Sequence, residues 1–340
     1  MNTRRLTYAG LSYFDRTRPL ERGEITPRGV DLEFIPFSDP EGLFRSMAQD
    51  QEFDIAEMSL STLLLMKGRG DDRLVAIPAF PSRVFRHGQV YVNTSAGISN
   101  PEDLIGKKVG VPEYQMTAAL WIRGFLARDY GVTPAKIDWW VGGLKEPGYV
   151  ERLSFEAPPG VSIRQIPQTA TLEEMLDSGE LDALATVNPP QAYRDRRTTV
   201  RRLFDDYRAV EEDYLRRTGI FPIMHTVAIR RDVYESNRSI AVTILDAFEA
   251  AKRSARDRLR DLPLAVMHPW MPHELDSIAT LFGGDPFVYG LPPNRTILET
   301  ACELSFEQGL SPRRIDPREL FAEETWDWNP VGLDAEPRVT

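Results

Sequence analysis

The sequence predicts an α/β protein built on largely parallel sheets. Strand-like and helix-like segments alternate for most of the chain, the pattern that parallel sheets with covering helices require. The helical segments carry apolar residues at helical spacing, as in Ala118, Trp121, Ile122, Phe125 and Leu126. Polar clusters recur just after strand-like runs, at the sheet edge where α/β proteins collect ligands.

Taken in order, LTYAGLS and VDLEFIPF read as strands, and PEGLFRSMAQD as a helix opening on proline. FDIAEMSL is a strand, after which Ser59 caps a helix through LSTLLLMKG that ends at Gly68. RLVAIPAF and QVYVN are strands. The stretch NPEDLIGKKVGVPEYQMTAALWIRGFLARDYG gives a short helical turn, a strand at KKVGVP and a long helix. IDWWVGG and SIRQIP follow as strands, TLEEMLDSG as a helix and DALATV as a strand. HTVAIRRDVY is the last strand. Beyond it the chain is nearly all helical: SNRSIAVTILDAFEAAKRSARDRL, HELDSIATLF and NRTILETACELSFEQGL. The closing ETWDWNPVGLDAEPRVT is polar and proline-containing, and is expected to be loose or to dress a surface. No internal repeat or low-complexity tract interrupts this order.

The length of 340 residues suits one large domain or two of medium size. A hydrophobic content of 42% and a charged content of 27% are those of an ordinary soluble globule. The net charge of −10 argues against a nucleic-acid partner while leaving room for a local basic pocket. Arginines number 35 against six lysines, a bias that deprives any single arginine of meaning on its own. The one cysteine, Cys302, excludes an intrachain disulfide; it lies in an apolar helical pattern and is expected to be buried. The start, MNTRRLTYAGLSYF, lacks an apolar export core, and no apolar run approaches the roughly 20 residues that span a bilayer. The expectation is a cytoplasmic protein with no membrane partner.

Five polar clusters share the relation to a strand end: Ser12 to Arg18, Glu57 with Ser59, Ser82 to His87, Glu113 with Tyr114 and Thr117, and Thr186 with Asn188. FPSRVFRHGQ places Arg83, Arg86 and His87 on a short crossing between two strands of an acidic chain. An anion is the natural occupant of such a group. Ion pairs with Asp15 or Glu57 are the plainer use of the same arginines.

EITPRGVDLEFIPF, NPEDLIGKKVGVP and SGELDALATVNPPQAY resemble the type II periplasmic-binding-protein fold. That resemblance implies two α/β lobes with a central ligand cleft, one of residues 1–93 plus 222–340 and one of 94–221. A closer likeness lies within that superfamily. YFDRTRPL, FDIAEMSLST, FPSRVFRHGQVYVN, GVPEYQMTAALWIRG, RRTGIFPIMHTVAIRRDVYE and YGLPPNRTILETACELSFEQGLSPRRIDPRELFAEET resemble the 4,5-dihydroxyphthalate decarboxylase family, over roughly residues 13–325. The resemblance implies a carboxy-lyase acting on a small aromatic acid.

Such a substrate carries each carboxylate para to a phenolic hydroxyl. Loss of the phenolic proton drives electron density to the carbon that bears the carboxylate. Protonation there gives a dienone-like intermediate that regains aromaticity by losing carbon dioxide. The ring supplies its own electron sink, so this route implies no cofactor. The sequence likewise has no GxGxxG after a strand and no HxxxH or CxxC. His268 and His273, five residues apart among prolines, are poorly spaced for a metal, and none is expected.

The site has to hold a dianion, the task of bidentate arginine, and to move protons, the task of His, Asp or Glu. Arg16, Arg18, Arg83 and Arg86 are the candidate carboxylate binders, with Ser59, Thr117, Tyr114 and Asn188 as further substrate contacts. His225, in the apolar run IFPIMHTVAI, and His87 compete for the proton transfer, with Asp15, Glu57 and Glu113 as further acid–base candidates. A core histidine, helix caps and ion pairs are the structural uses of the same residues. A solute-binding protein for an aromatic carboxylate or pyrimidine-like ligand stands as the alternative, and another enzyme on this fold, such as a lyase or dehydratase of a cyclic acid, as a third. The absent export signal and the titratable groups at strand ends favour the enzyme. Self-association into a homo-oligomer is left open.

Overall fold

Two sheets organise the chain, and the computed structural model describes residues 4–148, 152–153 and 156–330. Strand β1 (Arg4–Leu11) is followed by a 3-10 turn (Asp15–Thr17), α1 (Arg18–Glu21), β2 (Val30–Phe37) and α2 (Pro40–Arg45), which runs into a π-helical turn over Ser46–Asp50. Then come β3 (Ile55–Ser59), α3 (Leu60–Gly68), β4 (Leu74–Arg83), a 3-10 turn (His87–Gln89) and β5 (Val90–Asn93). The middle of the chain supplies β6 (Lys108–Val111), α4 (Thr117–Tyr130), β7 (Asp138–Val141), β8 (Ser162–Gln165), α5 (Leu172–Ser178) and β9 (Ala183–Ala185). After these lie α6 (Gln191–Arg194), β10 (Val200–Arg202), α7 (Tyr207–Thr218), β11 (Ile223–Arg230) and α8 (Arg231–Ser236). The chain closes with α9 (Ile240–Asp261), α10 (Met271–Phe282) and α11 (Arg295–Glu307).

The chain divides into two compact units, one of Met1–Arg83, Ile223–Glu299 and Asp316–Thr340, the other of Val84–Pro222 and Thr300–Ile315. The first unit holds the sheet β2-β1-β3-β11-β4. Here β1 runs parallel to β2 and β3, whereas β11 is antiparallel to both β3 and β4. All five residues of β3 are buried, and so is every residue of α3 except Lys67, which is why LSTLLLMKG shows no polar face. The long α9 buries Ile240, Ala241, Ile244, Leu245, Phe248 and Ala251 along one stripe.

The second unit holds the sheet β10-β5-β9-β6-β7-β8. Strands β9, β6, β7 and β8 are parallel neighbours, while β5 pairs antiparallel with β9 and β10. Both sheets are therefore mixed rather than largely parallel. Because β5 belongs to this sheet, the first crossing falls at Arg83–Val84 and not at Asn93. Residues 300–315 also join this unit. A Cβ on Gly124 would meet Leu304 Cδ1 at 2.5 Å, so the bare backbone of α4 is what lets α11 approach. Arg128 adds ion pairs to Glu303 and Glu307 across the same contact.

Four elements escape the sequence pattern, the four-residue α1 and α6 among them. Half of the 12 residues of α7 are charged and it buries only Tyr214, and β10 has three residues. The stretch RDVY, expected to extend the last strand, turns instead into α8 at Arg231. Cys302 and Trp121 are buried, as their apolar helical patterns require. Of the closing segment, Trp326 donates to the Phe321 carbonyl at 3.1 Å and Trp328 to Asp246 at 2.8 Å, and residues 331–340 lie outside the described residues. None of the described helices is long and apolar enough to cross a membrane.

His87 sits in an aromatic core of the second unit. Its ring stacks on Phe125 at 4.0 Å and packs against Phe204 and Tyr214 at 5.6 and 5.1 Å. Neither ring nitrogen has a hydrogen-bond partner among the described residues. Burial pushes its pKa down to about 4, with Arg217 acting in the same direction. The folded protein thus favours the neutral ring, and this contribution is full above pH ~6.5 and lost as the pH falls toward 4. His87→Phe keeps the stacking without the charge. Between pH 7 and 4, urea denaturation should show the variant losing less stability than the parent, by up to about 3 kcal/mol. Parallel losses in the two proteins would contradict this.

Candidate active site

In the first unit, β11 lies beside β3 with His225 opposite Ser59 and Val227 opposite Glu57. His225 and Glu57 are diagonal neighbours on one face of the ladder, a separation that long side chains bridge. His225 Nδ1 meets Glu57 Oε1 at 2.6 Å. The other carboxylate oxygen accepts the Leu11 N–H at 3.3 Å, and Glu57 is completely buried. Against an ionised carboxylate, which only accepts, Nδ1 would be the donor and Nε2 the nitrogen left for other work. Nε2 takes no partner among the described residues, and the side chain is 15% exposed. Against β4 the register of β11 shifts on both sides of His225, an irregularity of the kind that re-aims side chains.

Aromatic rings flank the imidazole. Phe44 lies edge-on at 4.8 Å and Phe14 at 6.5 Å between ring centroids. Phe14 also lies 4.2 Å from the guanidinium carbon of Arg16, so one ring links the arginine to the histidine. Arg16 donates through Nε to the Pro81 carbonyl and through Nη1 to Asp15 at 3.0 Å. Asp15, predicted as an acid–base group, is largely exposed and sits inside the 3-10 turn rather than capping it. Arg18 is exposed on α1. Ser59 precedes α3 as its N-cap residue, yet its hydroxyl bonds the Ser61 hydroxyl at 3.2 Å and makes no side-chain cap.

Two buried tyrosines feel the charge of Glu57, and no sequence pattern singles them out. The hydroxyls of Tyr8 and Tyr289 are buried without a hydrogen-bond partner among the described residues. Burial raises the pKa of both, and the negative charge of Glu57 adds to the rise, while Arg16 opposes it at Tyr289. They stay protonated, as neutral hydroxyls within the field of Glu57.

Arg83, expected to clamp a carboxylate, holds main-chain and amide acceptors of its own unit. Its Nη1 donates to the carbonyls of Pro286 and Val288, each at 3.3 Å, and its Nη2 to Asn294 Oδ1 at 2.8 Å. Burial pushes its pKa down to about 10. It braces the first unit from within.

The remaining predicted residues belong to the second unit. Arg86 Nη1 bonds the Gln89 side chain, and the neighbouring Gly88 N–H donates to Glu211 at 3.0 Å, a carboxyl that burial raises to about 6. His87 lies in the aromatic core described above. Glu113 pairs with Arg152 at 2.6 Å, both buried. Tyr114 is buried beneath Arg123, whose guanidinium carbon is 3.7 Å from the ring centroid. Thr117 opens α4 and is buried; Asn188 is exposed. Arg123 itself was not predicted. It is buried, its Nε bonds Gln308 at 2.7 Å, and burial lowers its pKa to about 10. Its signal was present as an arginine set inside the apolar stripe of WIRGFL. Among the described residues, no group of three or more His, Cys, Asp or Glu could hold a metal.

The first unit therefore brings together Glu57, Ser59, His225, Asp15 and Arg16, while Glu113, Tyr114, Thr117, Arg86, His87 and Asn188 belong to the second unit. A buried carboxylate that fixes one nitrogen of a partly exposed imidazole is equipped for proton transfer.

No family profile matches the chain. Among solved structures, the periplasmic aliphatic sulphonate binding protein SsuA of Escherichia coli aligns with a TM-score of 0.55 at 16% identity, over 96% of this chain and 99% of that one. The alkanesulfonate-binding SsuA of Xanthomonas axonopodis pv. citri aligns with a TM-score of 0.56 at 13% identity, over 94% and 99%. At such identities the likeness shows the fold alone, an α/β periplasmic-binding-protein fold. A 4,5-dihydroxyphthalate decarboxylase of Pseudomonas putida is 38% identical over 216 residues, 64% of this chain and 83% of the relative. One of Comamonas testosteroni is 36% identical over 309 residues, 91% of this chain and 93% of the relative. That identity, sustained from end to end, displaces the solute-binding alternative: the chain belongs to the 4,5-dihydroxyphthalate decarboxylase family and is an enzyme, a carboxy-lyase.

Proposed function

We propose that the chain decarboxylates 4,5-dihydroxyphthalate, or a hydroxylated aromatic acid closely like it, by protonating the ring carbon that bears the departing carboxylate. The observation that carries this reading is the 2.6 Å pair of His225 with the buried Glu57, which leaves Nε2 open beside Phe14 and Phe44. The name shared by the two relatives supports the substrate class.

Glu57 acts first, by holding the imidazole through Nδ1 and stabilising its charged form. Imidazolium Nε2–H then gives its proton to the ring carbon while the para hydroxyl releases its own to solvent. The result is a dienone with a tetrahedral carbon that still carries the carboxylate. The carbon–carbon bond breaks, its electrons return to the ring, carbon dioxide leaves and the phenolic oxygen regains a proton. The net change is one proton taken up for each carbon dioxide released, and His225 recovers that proton from solvent. The dienone oxygen is the electron sink, so no step calls on a cofactor. Arg16 supplies a cation for the retained carboxylate, and a planar ring fits beside Phe14 and Phe44. Glu113 and His87 receive no role in the proton transfer, since one is engaged with Arg152 and the other is enclosed by aromatic rings.

The test mixes the protein with 4,5-dihydroxyphthalate and follows carbon dioxide together with the ultraviolet spectrum. The parent should turn over. His225→Asn should lower kcat by about 10²- to 10⁴-fold while keeping its melting temperature and substrate affinity. Normal turnover by the folded variant would remove His225 from the mechanism. Glu57→Gln keeps a hydrogen-bonding group but loses the charge that stabilises imidazolium. It should cost about one to two decades in kcat/KM, the worth of a charge-assisted hydrogen bond of roughly 1.5–3 kcal/mol. An unchanged kcat/KM would reduce Glu57 to a structural partner.

A further inference from the structure

Residues 285–288 form a loop of the first unit whose main chain is held by buried charged side chains. Arg83 donates to the carbonyls of Pro286 and Val288, and Lys252 Nζ donates to the carbonyl of Phe287 between them at 2.9 Å. The Phe287 N–H donates to Asp285 Oδ1 at 2.8 Å, while Asp285 Oδ2 pairs with Lys252 at 2.7 Å. Glu249 also pairs with Lys252, at 2.9 Å. Asn294 links the two systems, accepting from Arg83 at 2.8 Å and donating to the Val288 carbonyl at 2.9 Å. Arg83 and Lys252 are 5% and 4% exposed, so both charges have left water to grip one loop. Covering a core does not need this, because apolar side chains cover it at lower cost.

What the loop delivers is a ring. Phe287 lies 4.4 Å from the guanidinium carbon of Arg16, and Phe14 lies 4.2 Å from the same atom. Nε and Nη1 of that guanidinium are tied to Pro81 and Asp15, while Nη2 has no partner among the described residues. A guanidinium held by aromatic faces keeps its in-plane N–H groups for an anion and loses little freedom when the anion arrives.

We propose that Phe287 is a positioning residue for Arg16: Arg83 and Lys252 fix the loop, the loop sets the Phe287 ring against the guanidinium, and Nη2 is thereby presented to the substrate carboxylate. This rests on the reading of Arg16 as the carboxylate-binding group given above. A residue that acts only by orienting a binding cation affects KM and leaves kcat nearly alone.

The experiment is steady-state kinetics on 4,5-dihydroxyphthalate with Arg16→Met, Phe287→Leu, the double variant and Phe287→Tyr, each with its melting temperature. Arg16→Met should raise KM by about tenfold or more, as expected for loss of a charge-assisted hydrogen bond. Phe287→Leu keeps apolar bulk but loses the π face, and should raise KM by about three- to tenfold with kcat within about a factor of two. Phe287→Tyr should restore KM. In the Arg16→Met background, Phe287→Leu should have no further effect, because it has nothing left to orient. Should Phe287→Leu fail to fold, Phe287→Met takes its place. The proposal is overturned if the Phe287 variant costs the same factor with and without Arg16, if tyrosine is as poor as leucine, or if KM does not move. A silent Arg16→Met would instead remove Arg16 from substrate binding, whereas a strong Arg16→Met beside a silent Phe287→Leu sinks the positioning role alone.

Discussion

Glu57 has no exposed surface, and a carboxylate in such a place must be met by donors or it will not stay ionised. Its two oxygens are met by the Leu11 N–H and by His225, one group from each strand flanking β3. That requirement constrains the sheet. β11 has to lie directly against β3, and the register has to put His225 diagonal to Glu57 rather than one residue along, where its side chain would point to the opposite face. The same arrangement that satisfies the carboxylate leaves one imidazole nitrogen outward. Stability and chemistry are served by one hydrogen bond.

The buried cations of the first unit obey a related logic. Arg83 and Lys252 hold main-chain carbonyls, and Lys252 also holds two carboxylates. Their partners lie on the loop after α10 and, through Glu249, on α9, so they lock an irregular segment that has no ladder of its own. Arg123 in the second unit differs, with a tyrosine face and a glutamine oxygen where an acid would be expected. Removing either kind of arginine leaves stranded acceptors or a packing gap, so a loss of activity at Arg83 would not by itself indicate contact with substrate.

How far the sequence foretells this can be judged from particular elements. Helices α4 and α9 were legible because their apolar residues recur at helical spacing, and α3 because Ser59 and Gly68 bound a leucine-rich run. The direction of β11 was not legible, since periodicity identifies a strand and says nothing about its neighbours. Helix α7 hid because a helix with one buried side chain has no apolar stripe to see. Glu57 and His225 were each marked out by position, but 168 residues separate them, and no local pattern carries a contact over that distance. For Arg83 the residue type declared a donor, while two of its acceptors are backbone carbonyls, which have no signature at all. Phe287 was invisible for the same reason: its value lies in what the loop does with it.

The central claim is that His225 Nε2 delivers the proton to the ring. A crystal structure with the decarboxylated product, a dihydroxybenzoate, tests it most directly. The account predicts the vacated ring carbon within about 3–3.5 Å of Nε2, the spacing of reacting atoms in a near-attack arrangement, with the retained carboxylate on Arg16. A product bound with that carbon turned away from His225, and facing another acid or base, would contradict it.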